Sequence, residues 1–319
     1  MNSRKTGALF LTVTLSIIIL SVIVITISYF TGNTATLSTI ANYTTYPIIL
    51  GICLIFMHIS GESPSEFFGF RKVKVSVFFL TILYFILIFP ATFVISAMSN
   101  LIFGNPLTDT LANEPLPLMA ILSVFCAPFF EELLFRGALF QGFRRSGRVW
   151  APIILTSLLF GLFHGNVTQL IYTSVLGFFM ALLVEASGSL WMSMLMHFLF
   201  NMPAVIIIAG NRFLTQNNSP PISEQQTELT AGVVEYNELQ PLITAGLITA
   251  GIIAAGIAVL FIFLAVLVLR KISKIQNREN IYLKEREPEA STGRRIVSIP
   301  LIIGICLAST EVIAAIFIT

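Results

Sequence analysis

Three clusters of polar side chains stand inside otherwise apolar stretches of this 319-residue chain. Glu131, Glu132 and Arg136 form the first, in A-P-F-F-E-E-L-L-F-R-G. His164 ends the second, F-G-L-F-H, which begins at Phe160. His197 and Asn201 bound the third, H-F-L-F-N. A charge at bilayer depth costs at least ~2.5–3.5 kcal/mol at a helix centre, so such residues mark functional sites by default. Their types define a chemistry. A carboxylate held out of bulk water beside a histidine can take a proton from water, as a general base near pH 7 must. A second histidine and an amide side chain can donate hydrogen bonds to a developing oxyanion. Together they suit hydrolysis of an amide or ester by activated water. A metal is the rival account. His164, His197 and Glu131 make a two-histidine, one-carboxylate set with an open position, a common zinc arrangement. H-E-x-x-H is absent from the chain, and Asn201 is a poor zinc ligand. The residues leave both readings open. The metal-free glutamate–histidine dyad is favoured, with no cofactor required, and zinc is the alternative.

Helix geometry sorts the roles. Glu132 and Arg136 are four residues apart with the acid first, the better order for an ion pair on one face. Glu131 is turned from Glu132 by about 100°, so adjacent glutamates can have different partners. His197 and Asn201 also share a face. Glu131 and His164 lie equally far from the turn at Ser146-Gly147. In an antiparallel hairpin they sit at similar depth, and the spacing predicts that they meet.

The elements that must hold these groups are membrane helices. The chain is 56% hydrophobic and only 11% charged, where soluble domains carry about 25% charged residues. Its apolar runs reach the roughly 20 residues a spanning helix needs. An all-α, polytopic integral membrane protein with about nine transmembrane helices is predicted, eight being the alternative count. The nine runs are 8–30, 44–60, 76–98, 117–140, 149–165, 168–185, 189–210, 242–269 and 296–318. With the N-terminus in the cytoplasm, every lysine and arginine except Arg212 falls on the cytoplasmic side, as the positive-inside rule requires. Arg136 lies within a span and is counted there with the turn that follows it. Nucleic acid is not an expected partner, because topology accounts for the basic residues. The three cysteines are isolated and suggest no disulfide framework. The chain divides into N-terminal helices at 1–117, a core at 118–210 holding all three clusters, and 211–319, a polar outer loop followed by two C-terminal helices.

At these residues the sequence resembles the CPBP family of intramembrane proteases, which includes the CAAX prenyl endopeptidases of the Rce1 type and the Abi bacteriocin-immunity proteins. The family motifs E-E-x-x-x-R, F-x-x-x-H and H-x-x-x-N/D stand here at Glu131 to Arg136, Phe160 to His164 and His197 to Asn201. Each is weak alone, but the ordered set in consecutive spans is specific. The resemblance implies that Glu131 and His164 activate water. It implies that His197 and Asn201 form the oxyanion site or contribute metal ligands, and that Glu132 and Arg136 support the geometry. The implied protein is a multi-pass membrane endopeptidase of a prokaryotic cell membrane. Its partners are lipid and a peptide or lipidated-protein substrate. Two rival functions use the same residues: a proton or ion relay in a transporter, and a non-catalytic immunity protein.

Overall fold

In lipid each spanning segment must satisfy its own backbone hydrogen bonds, and a helix does so within one segment. The computed structural model follows that rule. It describes residues 1–32, 34–104, 115–218, 236–289, 293 and 295–318, and every regular element among them is helical. In chain order the helices are α1 (Ser3–Thr31), α2 (Thr34–Ser60), the short α3 (Pro64–Phe68), α4 (Val75–Phe103) and α5 (Leu116–Arg144). They continue as α6 (Trp150–Leu162), α7 (Val167–Ser187), α8 (Leu190–Asn218), α9 (Tyr236–Ile275) and α10 (Ile299–Ile318). Among the described residues, seven helices contain a stretch long and apolar enough to cross a membrane. The protein is therefore an all-α, polytopic membrane protein. The remaining two expected spans correspond to shorter apolar helices, Trp150–Leu162 and Ile299–Ile313.

The short α6 matters for the site. Its 13 residues reach about 20 Å at 1.5 Å per residue, less than the ~30 Å hydrocarbon core. It ends early because the chain turns at Gly165, whose φ of 68° suits glycine. Asn166 then caps α7, its Oδ1 accepting the Gln169 N–H at 2.8 Å. His164 thus stands at the end of a helix too short to span the bilayer. The loop expected from residue 211 begins later, because α8 continues to Asn218, and α9 begins at Tyr236, ahead of the expected 242. The polar stretch 219–235, and Asp109 and Glu114 in 105–114, lie outside the described residues.

The most enclosed of the spanning helices is α7. It packs against α4, α6, α8 and α9, while α8 runs along α5. This places the three motif-bearing helices side by side. At one end of the bundle the connections bind one another. The Leu190 N–H reaches Gly69 O at 3.0 Å and the Arg286 N–H reaches Gly147 O at 2.9 Å. The Ser189 hydroxyl donates to Arg71 O at 2.6 Å. At the other end the Thr168 hydroxyl donates to Gly104 O at 3.0 Å. These contacts match the alternating direction expected from the basic residues.

Glu62 fastens the basic end. Arg145 grips it with Nη1 at 2.8 Å and Nη2 at 2.6 Å, and the Met1 ammonium also donates to it. Desolvation pushes the Glu62 carboxyl up, but hydrogen bonds from the ammonium and Arg145, with their charges, outweigh it and hold it below the usual carboxylate range. A depressed carboxyl stabilises the fold above its unfolded pKa and loses that contribution as pH falls through the lower folded value. Glu62→Gln should therefore lower stability by about 1 kcal/mol at pH 7. Wild type and variant should begin to converge near pH 4.3, the unfolded carboxylate value, and meet once pH has fallen through the lower folded value. Thermal unfolding in detergent across pH checks this.

Candidate active site

The helix that carries Glu131 and Glu132 is not uniformly wound. In α5 the stretches Ile121–Cys126 and Leu133–Leu139 are π-helical, and they flank an α-helical segment, Ala127–Glu132. Such π segments are rare and occur mostly at functional sites. Pro128 supplies a local reason for the first. The Ala127 N–H bonds Leu122 O, five residues back. The same register would pair the next nitrogen, that of Pro128, with Ser123 O, but proline has no N–H. Asn201 on α8 fills the gap, its Nδ2 donating to Ser123 O at 2.7 Å. Asn201→Ala should orphan that carbonyl and cost about 1–3 kcal/mol. Pro128→Ala restores an N–H, so the loss from Asn201→Ala should shrink in the Pro128→Ala background. A double-mutant cycle on thermal stability measures the coupling.

The centre of the site is a chain of charges. Arg136 Nη1 lies 2.6 Å from Glu132 Oε1, with both side chains fully buried. The same oxygen lies 3.2 Å from His197 Nδ1. On the other edge of that ring, His197 Nε2 faces Glu131 Oε2 at 4.0 Å. One imidazole therefore lies between the two adjacent glutamates. Glu132 does more than pair with Arg136, because it also anchors His197. The expected meeting of Glu131 with His164 is electrostatic only: the Glu131 charge acts on the His164 ring, and no hydrogen bond or ion pair joins them among the described residues. His164 instead sets its Nδ1 2.8 Å from Phe160 O, four residues back on its own helix. A carbonyl only accepts, so Nδ1 carries the proton and Nε2 is the free nitrogen. Glu132 imposes the same tautomer on His197. As neutral rings, both histidines present acceptors, so the oxyanion role expected of His197 requires the doubly protonated imidazolium.

Phe160 has a role that the motif alone did not reveal. Its ring stands edge-on to His164, with centroids 4.9 Å apart, and to His197 at 5.6 Å. Arg136 Cζ lies 4.2 Å from the ring centroid, a distance for cation–π attraction. Phe160 thus sits between both imidazoles and the buried guanidinium. Gly177 on α7 backs this arrangement. A Cβ there would come 2.8 Å from Arg136 Nη2 and 3.2 Å from Phe160. A sequence reading has no signal for this, since a glycine in a membrane helix is unremarkable in composition.

Comparison with known proteins points to the same part of the chain. Residues 113–203 match the family model described as type II CAAX prenyl endopeptidase Rce1-like. All seven motif residues, from Glu131 to Asn201, fall inside the matched residues. The chain is 27% identical over 94 residues to a Bacillus subtilis (strain 168) protein named "Putative membrane peptidase YdiL". That match covers 30% of this chain and 38% of the relative. It is 37% identical over 101 residues to an uncharacterized protein of Mycoplasma capricolum subsp. capricolum (strain California kid), covering 30% of this chain and 29% of the relative. The matched part is therefore well under half the length of these curated relatives. No solved structure matches the chain.

The metal alternative can be tested against the side chains. Both free Nε2 atoms have the right donor chemistry, and Glu132 behind His197 resembles the carboxylate that commonly orients a ligand imidazole. Yet among the described residues no three His, Cys, Asp or Glu side chains converge to hold an ion. Glu131, His164 and His197 as placed do not form a three-ligand set, and no chemical step below runs through a metal.

Proposed function

We propose that the protein is an intramembrane endopeptidase that hydrolyses a peptide bond with water held between Glu131 and His197. The observation that carries this reading is the imidazole set between two carboxylates, one buried and ion-paired, the other 13% exposed and open to a ligand. Glu132 keeps the proton on Nδ1, so Nε2 and the Glu131 carboxylate both accept. A water donating one hydrogen to each bridges the 4.0 Å gap and turns its lone pairs outward. Attack on a peptide carbonyl transfers one water proton to Glu131, the general base. The remaining Nδ2–H of Asn201 can donate to the oxyanion, and Glu131 then passes its proton to the leaving amine. Glu132 stabilises any imidazolium formed at His197, as a carboxylate does behind a general-base histidine.

The substrate class is a membrane-associated peptide or a lipidated protein tail. The Rce1-like match and the membrane-peptidase name of the Bacillus relative support it. The bacterial relatives favour a prokaryotic cell membrane, with the basic end and the N-terminus cytoplasmic by the positive-inside rule. The test is reconstitution of the full chain in vesicles with a library of membrane-anchored peptides, followed by identification of new N-termini. Termini produced by the wild type and absent with Glu131→Ala are expected. A wild-type protein that yields none, yet carries a proton current abolished by His197→Ala, would overturn the peptidase reading in favour of a relay.

A further inference from the structure

Four guanidinium groups meet around one buried carboxylate at the basic end of the bundle, away from the site above. Arg144 closes α5, Arg71 precedes α4, and Arg278 and Arg286 follow α9. Glu185 lies in the last turn of α7 and is 2% exposed. Its Oε1 accepts Arg144 Nη2 at 2.9 Å and Arg286 Nη2 at 3.1 Å, and its Oε2 accepts Arg144 Nε at 3.1 Å. Arg278 Nε donates instead to the Glu185 backbone oxygen at 3.0 Å. These residues and Gly188 line a pocket of about 40 Å³.

The charges do not balance. One carboxylate faces four cations, and only Arg144 is fully engaged by it. Arg286 Nε is buried without a hydrogen-bond partner. The exposed Arg71 side chain makes no hydrogen bond or ion pair among the described residues, although its guanidinium acts electrostatically on Arg278 and Arg286. Burial and the neighbouring guanidinium groups, opposed by Glu185, push Arg278 down to about 10. Like charges held this close mark an unfilled demand for an anion. Gly188 helps to make the space: a Cβ there would come 2.7 Å from Arg278 Nη1.

We propose that this pocket binds a phosphate group, carried by an anionic lipid headgroup or by soluble phosphate. Guanidinium forks match phosphate oxygens in pairs, and basic pockets between membrane helices at the cytoplasmic side suit anionic headgroups. The volume, room for roughly three waters, fits a tetrahedral oxyanion and is too small for a peptide. The site is independent of the peptidase reading. It joins the segment before α4, the end of α5, the end of α7 and the segment after α9, so a bound phosphate ties together four parts of the chain.

The test is thermal unfolding of the purified full chain in nonionic detergent at constant ionic strength. It is titrated in separate arms with inorganic phosphate, dioctanoyl phosphatidylglycerol and dioctanoyl phosphatidylcholine. A saturable rise with phosphate identifies the soluble source, and a rise with phosphatidylglycerol alone identifies the headgroup. In either case Arg278→Gln and Arg71→Gln should raise the half-saturation concentration about tenfold, the effect of losing one charged hydrogen bond. Arg71 has no contact to lose, so its variant decides the matter even if Arg278→Gln fails to fold. No saturable rise with phosphate or phosphatidylglycerol, or equal half-saturation in wild type and Arg71→Gln, would overturn the proposal.

Discussion

Glu131→Gln is expected to lower peptide hydrolysis by ~10²–10⁴-fold, the usual contribution of a general base, while leaving stability within about 0.5 kcal/mol of wild type. The two halves of this prediction have separate grounds. Glu131 faces His197 Nε2 at 4.0 Å and makes no hydrogen bond to the protein among the described residues. Removing its charge therefore breaks no hydrogen bond and gives up only the 4.0 Å approach to His197. Glutamine keeps the size of the side chain but cannot take a proton from water. The loss should appear in kcat, because the missing interaction is made as the proton transfers. Wild-type hydrolysis by this variant would remove Glu131 from the mechanism. His164→Ala makes a useful contrast. The structure sets His164 against Phe160 and gives it no direct contact with Glu131, so its loss should reduce activity less than the loss of Glu131.

Arg136→Leu carries the second large effect, on folding. Arg136 and Glu132 are both fully buried, 2.6 Å apart. Removing the arginine leaves a carboxylate without its countercharge, a change that typically costs about 3–5 kcal/mol. The pair is not itself a stabiliser of that size. Replacing both partners by apolar residues of similar volume is often neutral, so Arg136→Leu with Glu132→Leu should recover most of the stability. That double variant should still be at least ~10²-fold impaired, because His197 loses the carboxylate that sets its tautomer. Thermal unfolding and single-turnover hydrolysis of the three proteins separate folding from positioning. Recovery of both stability and activity in the double variant would show that Glu132 serves only the fold.

The motif spacing and the apolar runs carried much of this protein into view. Runs of 20 apolar residues have few stable forms in lipid, so the helices and their alternating direction follow from composition and the placement of Lys and Arg. The i, i+4 spacing of Glu132 and Arg136 likewise dictated their ion pair, since helical neighbours need no tertiary information. The same geometry placed His197 and Asn201 on one face. The arrangement between helices was harder to read. Equal distance from a turn placed Glu131 and His164 at similar depth, but depth does not set rotation about the helix axis. The π-helical stretches on either side of Ala127–Glu132 change that rotation, and a local sequence gives little warning of them. Phe160, Gly177 and the Ser123 carbonyl took part only once neighbouring helices were packed against them.

A helical membrane protein with acids, histidines and an amide in three polar clusters was legible from spacing alone, because local periodicity and the penalty for charge in lipid act along the chain. Which glutamate faces which histidine followed from the packing of the helices. That packing placed His197 between Glu131 and Glu132, and it left Asn201 to replace the hydrogen bond that Pro128 cannot make. It also gathered Arg71, Arg144, Arg278 and Arg286, which are distant in the chain, around Glu185. Contacts between helices depend on rotation and close packing, and both are set by every neighbouring side chain at once rather than by spacing along one of them.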